Sequence, residues 1–269
     1  MTGDMTGRPG EAEASPLRPT TRKVPALTIT TTAAGKPTIV LVHGAFAESA
    51  SWDGVIALLL ADGYPAVAVA NPLRGVRSDA DYLLSVLSAI EGPVVLVGHS
   101  YGGMVISNVA TQGTNVTALV YAGAFAPAAG ESAVELSGRF PGSSLGETLA
   151  AVKLPGGGTD LYIQQGRYHH QFAADSPADR AAVMAVTQRP ITEAALNEAS
   201  GEPAWQSLPS WFLFGSEDLN IPAAVHRYMA ERAGSRRTVE LAGGSHTVAI
   251  PEAAKLVDLI REAAAGGSE

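Results

Sequence analysis

Two G-x-S-x-G pentads punctuate this 269-residue chain, GHSYG at 98–102 and GSSLG at 142–146. A serine so placed can attack a carbonyl carbon, provided that a base takes its proton and N–H donors receive the oxyanion. The two serines differ in their surroundings. Val94 to Val97 is a β-branched and leucine run that suits a strand buried on both faces. Beyond Tyr101, residues Met104, Val105, Asn108 and Val109 recur at helical spacing. Ser100 thus stands on a sharp strand-to-helix turn, and Gly98 and Gly102 lack the Cβ atoms that would hold neighbouring chains apart. Its hydroxyl is expected at the top of a sheet, beside the positive end of the following helix. Ser144 follows Pro141 in a loop with no strand before it, and is expected to be structural.

Six histidines compete to be the base. His99 adjoins Ser100 and should point elsewhere; His43 opens the loop after the first core strand and is expected to brace it. His169 and His170 read as an exposed polar pair, and His226, inside VHRYMAERA, as a surface helix residue. His246 differs. It follows the strand TVEL within AGGSHTV, a glycine-containing loop at a carboxyl edge, from which its ring can reach Ser100. An acid must hold that imidazole in the right tautomer and stabilise its cation. The loop GSEDLNIP offers Glu217 and Asp218; the shorter Asp218 is more easily fixed at a strand end, and Glu217 is expected in solvent. One oxyanion donor should be the Tyr101 N–H, directly after the serine. The other should come from HGAF, with Ala45 preferred and Phe46 the alternative. Phe46 and Phe125 are expected beside bound substrate.

These residues need a frame, and the chain alternates strand-like and helix-like segments, as a parallel sheet covered on both faces requires. Ala26–Thr32 reads as an edge strand, and Thr38–Val42, Ala66–Ala70, Val94–Val97, Val116–Tyr121, Trp211–Phe214 and Thr238–Leu241 as core strands. Helices are expected over Trp52–Asp62, with Gly63 closing the first, from an N-cap at Ser78 to Ile90, after Ser100, over Pro222–Ala233 and from Pro251 to Ala264. The alternation lapses over residues 132–206, too long for an ordinary loop and better read as a lid over the carboxyl ends of the strands. The expected organisation is a core of residues 25–131 and 207–269, the lid at 132–206, and a disordered extension at 1–24, rich in Gly, Pro, Thr and charge.

Composition narrows the function. With 26 acidic against 18 basic side chains the net charge is −8, which argues against nucleic acid or an anionic membrane surface as partner. The chain has no cysteine, which excludes thiolate catalysis and disulfides, and no apolar run of the ~18 residues that span a bilayer. No H-E-x-x-H, complete P-loop or well-placed G-x-G-x-x-G occurs, so no metal or nucleotide cofactor is expected. A cytoplasmic monomer or homodimer acting on a small molecule is the expectation.

The motifs LVHGAF, VGHSYGG, GSEDLNIP and GGSHTV, spread over residues 36–265, together resemble the α/β-hydrolase superfamily. Within it, HGAFAESASW followed by GHSYGG is similar to the branch of plant methyl esterases, hydroxynitrile lyases and their bacterial serine esterase relatives. The resemblance implies an α/β fold with a mostly parallel, doubly wound sheet, a mostly helical lid inserted between core strands, a Ser100–Asp218–His246 triad and no cofactor. It also supports Ala45 and Tyr101 as oxyanion donors. Lyases of this branch carry a threonine in place of Gly44 and a lysine in place of Thr247, and relatives that open epoxides or remove halogens use an aspartate where Ser100 stands. The resemblance therefore implies hydrolysis of a small carboxylic ester. A lactone, amide or peracid would use the same groups, and a small-molecule sensor is the reading from another class.

Overall fold

Thr38–Val42 (β1) and Val94–His99 (β3) are buried at every position, which only a strand covered on both faces permits. The computed structural model describes residues 1–3, 35–109 and 114–266. The expected edge strand at Ala26–Thr32 and nearly all of the extension lie outside them.

Between β1 and β3 run helix α1 (Asp53–Ala61), strand β2 (Ala66–Val69) and helix α2 (Val76–Leu87). Helix α3 (Gly102–Ser107) and strand β4 (Val116–Ala122) follow. The chain returns to the sheet with β8 (Ser210–Gly215), α8 (Ala223–Arg232), β9 (Arg237–Leu241) and α9 (Ala253–Gly266). The six core strands are all parallel, in the order β2-β1-β3-β4-β8-β9. Strand alternation divides the core in two. Leu96 and Leu119 face Leu83, Val105 and Met229 of α2, α3 and α8, whereas Val95, Val97 and Val120 face Leu59, Leu256 and Ile260 of α1 and α9. No helix among the described residues is long and apolar enough to cross a membrane.

The segment between β4 and β8 carries α4 (Ala133–Ser137), α5 (Gln165–Phe172), α6 (Ala178–Thr187) and α7 (Glu193–Asn197). To these helices it adds an antiparallel sheet of β5 (Leu149–Lys153), β6 (Thr159–Ile163) and β7 (Ile191–Thr192), which the sequence pattern did not reveal. The reason is physical: four of the five β5 residues are exposed, so no apolar alternation marks the strand.

Helix α2 begins two residues before the expected cap. Ser78 lies inside its first turn and donates to the Gly75 carbonyl (3.1 Å). The free N–H groups there are met by carboxylates instead: Asp79 accepts from Arg74 N–H (3.1 Å), and Glu198 of the insertion accepts from Val76 N–H (2.7 Å). Helix α1 likewise starts one residue late, after a 3-10 turn at Ser49–Trp52.

Helix α3 packs so tightly that its glycines touch other backbones. A Cβ on Gly102 would stand 2.2 Å from the Val42 oxygen, and one on Gly103 would stand 2.1 Å from the Phe125 oxygen. Gly146, in the second pentad, has nothing within 4 Å of the equivalent point. Gly102→Ala should therefore cost about 3 kcal/mol and lower Tm by about 6–12 °C, while Gly146→Ala stays within about 2 °C. Thermal unfolding that failed to separate the two variants would contradict this packing.

Candidate active site

Ser100 directly follows β3 in the left-handed region, at φ 53°. For a non-glycine residue such a backbone costs of order 1–3 kcal/mol and persists only where its surroundings enforce it. Here they do. Ser100 N–H donates to the Gly123 carbonyl (3.2 Å), and its own carbonyl accepts from Gly103 (2.9 Å) and Phe125 (3.2 Å). A Cβ on Gly44 would fall 2.5 Å from the Ser100 Cβ, so the loop after β1 passes directly against the serine. Ser144 shows none of this: its φ is −115° and its hydroxyl is bonded to Gln171 (2.9 Å).

Ser100 and His246 border one cavity of about 300 Å³. His246 Nδ1 lies 2.7 Å from Asp218 Oδ2, and both side chains are fully buried. A carboxylate can only accept, so Nδ1 carries the proton and Nε2 presents its lone pair. That Nε2 is buried with no hydrogen-bond partner among the described residues. A buried acceptor left free is costly in a folded protein, and this one belongs to a residue that borders the cavity. Glu217, by contrast, is exposed.

Asp218 is saturated with donors. Its Oδ1 accepts from the N–H groups of Asn220 (2.8 Å) and Ile221 (2.9 Å). Its Oδ2 accepts from His246 and also from His226 Nε2 (3.2 Å). Burial alone would raise its pKa, but the facing imidazoles and their hydrogen bonds hold it below the usual carboxylate range. The expectation for His226 is thus corrected: it is only 1% exposed and its ring stacks on Phe214, with centroids 4.7 Å apart. The signal was present, because His226 shares a helix face with Val225, Met229 and Ala230 of α8, all buried.

The N–H of Phe46 is committed to the Arg189 carbonyl (2.9 Å). Those of Ala45 and Tyr101 donate to no acceptor among the described residues, and both residues line the cavity. The loop carrying Ala45 is held by His43. Asn71 N–H donates to His43 Nε2 (3.1 Å), which leaves the proton on Nδ1 to donate to the Gly44 carbonyl (2.9 Å). The Tyr101 hydroxyl reaches the opposite way, to the buried Asp79 carboxylate (3.0 Å), whose pKa burial raises. Sequence reasoning missed Asp79. His99 does not point away from the site: its Nε2 bonds the His246 carbonyl (3.1 Å), and the two rings lie 4.8 Å apart.

Phe46 and Phe125 both line the cavity, as do Leu145, Leu149 and Phe172 from the insertion. The insertion also grips the loops that carry Ala45, Asp218 and His246. Tyr168 donates to the Phe46 carbonyl (2.6 Å), Gln171 to the Leu219 carbonyl (2.9 Å), and Asp175 accepts from Ser245 N–H (2.7 Å). Thr247, next to His246, is buried within 3.5 Å of the Ser176 hydroxyl.

Burial pushes His43 down to about 4 and His99 down to about 3, the latter helped by His246 beside it. In the unfolded chain both should protonate near 6.5. The folded state therefore binds fewer protons than the unfolded state below that pH. The stability this contributes is complete above about pH 6.5 and is lost as pH falls toward 3. The urea midpoint should drop steeply between pH 7 and pH 4; a flat midpoint would contradict neutral, buried imidazoles.

The model of the family described as "Alpha/beta hydrolase family" matches residues 39–259. The chain is 26% identical over 250 residues to the alpha/beta hydrolase nvfD of Aspergillus novofumigatus, covering 85% of this chain and 97% of that protein. Among solved structures it resembles polyneuridine aldehyde esterase, with a TM-score of 0.72 at 17% identity over 84% of this chain and 98% of that one. It also resembles the methylesterase MES16 from Arabidopsis, with a TM-score of 0.71 at 17% identity over 86% of this chain and 99% of that one. Family match, sheet order and the turn at Ser100 agree: this chain belongs to the alpha/beta hydrolase family.

Proposed function

We propose that the protein hydrolyses carboxylic esters of small apolar or aromatic groups through an acyl-enzyme on Ser100. His246 Nε2 takes the Ser100 proton as Oγ attacks the ester carbonyl. The Ala45 and Tyr101 N–H groups hold the oxyanion, and the imidazolium, steadied by Asp218, then protonates the leaving alcohol. Water repeats the cycle on the acyl-enzyme and releases the acid. The observation that carries this reading is the unpartnered Nε2 of His246 bordering the same cavity as a serine held at φ 53°. No bond within 3.5 Å yet joins Ser100 to that nitrogen. Such bonds are commonly long before substrate binds and tighten in the complex.

The cavity supports the substrate class. No Asp, Glu, Lys or Arg side chain among the described residues lines it, so a charged acyl or alcohol group would lose its hydration without a partner. Its volume of about 300 Å³ suits a compact group. The names of both related structures speak of esterases, consistent with ester cleavage. Gly44, pressed against Ser100, and Thr247, with a neutral side chain beside His246, favour hydrolysis over cyanohydrin cleavage. On this reading residues 132–206 form the lid and residues 25–131 and 207–269 the core.

The test is p-nitrophenol release from a graded series of p-nitrophenyl esters. Activity is expected to favour short acyl chains, and Ser100→Ala should lower kcat by about 10⁴-fold or more. Undiminished release by that variant would remove the assignment.

A further inference from the structure

Asp218 Oδ2 serves two imidazoles, His246 Nδ1 at 2.7 Å and His226 Nε2 at 3.2 Å. A carboxylate gives the His226 nitrogen nothing to accept, so Nε2 is protonated and Nδ1 holds the lone pair. That Nδ1 is buried and has no hydrogen-bond partner among the described residues. An apolar ring at this place would stack on Phe214 equally well and would leave no buried acceptor unsatisfied. The one thing the imidazole adds is its N–H on the carboxylate. His226 does not border the cavity, and among the described residues its ring nitrogens bond only to Asp218.

We infer that His226 is a positioning residue, whose N–H bond to Asp218 Oδ2 limits how strongly that carboxylate draws a proton onto His246. The inference rests on the proposed role of His246 as base. An N–H bond accepted by Oδ2 withdraws charge from the oxygen that steadies the His246 cation. With that bond, His246 stays a free base to lower pH; without it, the imidazolium is overstabilised.

The groups facing the pair are few. His226 faces Asp218 from the loop after β8, His246 from the loop after β9, and the Glu240 charge from β9, which is itself paired with Arg227 of α8. His246 faces Asp218, His226 and the neutral His99 of β3. A proton on His226 would set a second cation beside the one His246 must bear. Burial and that repulsion both disfavour it, so His226 remains a neutral donor through the cycle.

The test is the pH profile of kcat/KM for p-nitrophenyl acetate in the full chain. His226→Phe keeps the stacking and lacks the N–H; His226→Gln returns a donor near the place of Nε2. In the Phe variant the acid limb should move up by roughly 0.5–1 pH unit, with KM changed less than about twofold. In the Gln variant the limb should return to within about 0.3 unit of the native one. Circular dichroism checks that both fold, and His226→Met serves as the variant without a donor should the Phe variant not fold. A folded variant lacking the donor with the native limb, or equal displacement by Gln and Phe, would overturn the inference and leave His226 a packing residue. Ester turnover that survives Ser100→Ala in the otherwise unchanged chain would overturn the reading of the site itself, and this inference with it.

Discussion

The close approach of three backbones around residue 100 is the constraint on which the site depends. Gly44 passes the serine from one side, Gly102 and Gly103 meet Val42 and Phe125 from another, and Ser100 is left in the left-handed region at φ 53°. A Cβ at any of these glycines would fall 2.5 Å or less from another heavy atom, nearer than real Cβ atoms stand. The geometry that strains the serine also leaves two N–H groups, of Ala45 and Tyr101, without acceptors in the wall of the same cavity. One packing arrangement thus sets both the strained serine and the two free N–H groups beside it, and the core helices and strands supply the free energy that sustains it.

A second constraint is the treatment of charge. The carboxylate of Asp218 is buried, and every oxygen on it is occupied by N–H donors. Around it stand His226 and His246, with His99 beside His246, and burial disfavours the cationic form of His226 and of His99. On the proposed mechanism the fixed negative charge of Asp218 steadies an imidazole that is cationic only while the acyl group transfers. The insertion belongs to this arrangement. Tyr168, Gln171 and Asp175 fasten the loops of Ala45, Asp218 and His246. Movement of the insertion would therefore disturb the loops of Ala45, Asp218 and His246 as well as the cavity walls.

Much of this was legible in the sequence, because the strongest signals are local. Buried parallel strands read as continuous apolar runs, and β1, β3, β4 and β8 lie within a residue or two of their expected bounds. The two pentads were told apart by the strand before Ser100 and its absence before Ser144, and only Ser100 has the strained turn. What was missed depends on tertiary packing. His226 was read as a surface residue because polar neighbours in VHRYMAERA masked its place on the apolar face of α8. Asp79 has no motif signal around it, yet it is buried and bonded to the Tyr101 hydroxyl. Strand β5 exposes most of its length and carries no period to read.

The central claim is that position and strain, not sequence motif, make one serine of this chain a nucleophile. Mass spectrometry of peptides from protein treated with a fluorophosphonate tests it most directly. The account predicts a single covalent adduct, on the peptide containing Ser100, with the peptide containing Ser144 unmodified. Equal labelling of the two serines, or an adduct confined to a peptide without Ser100, would contradict it.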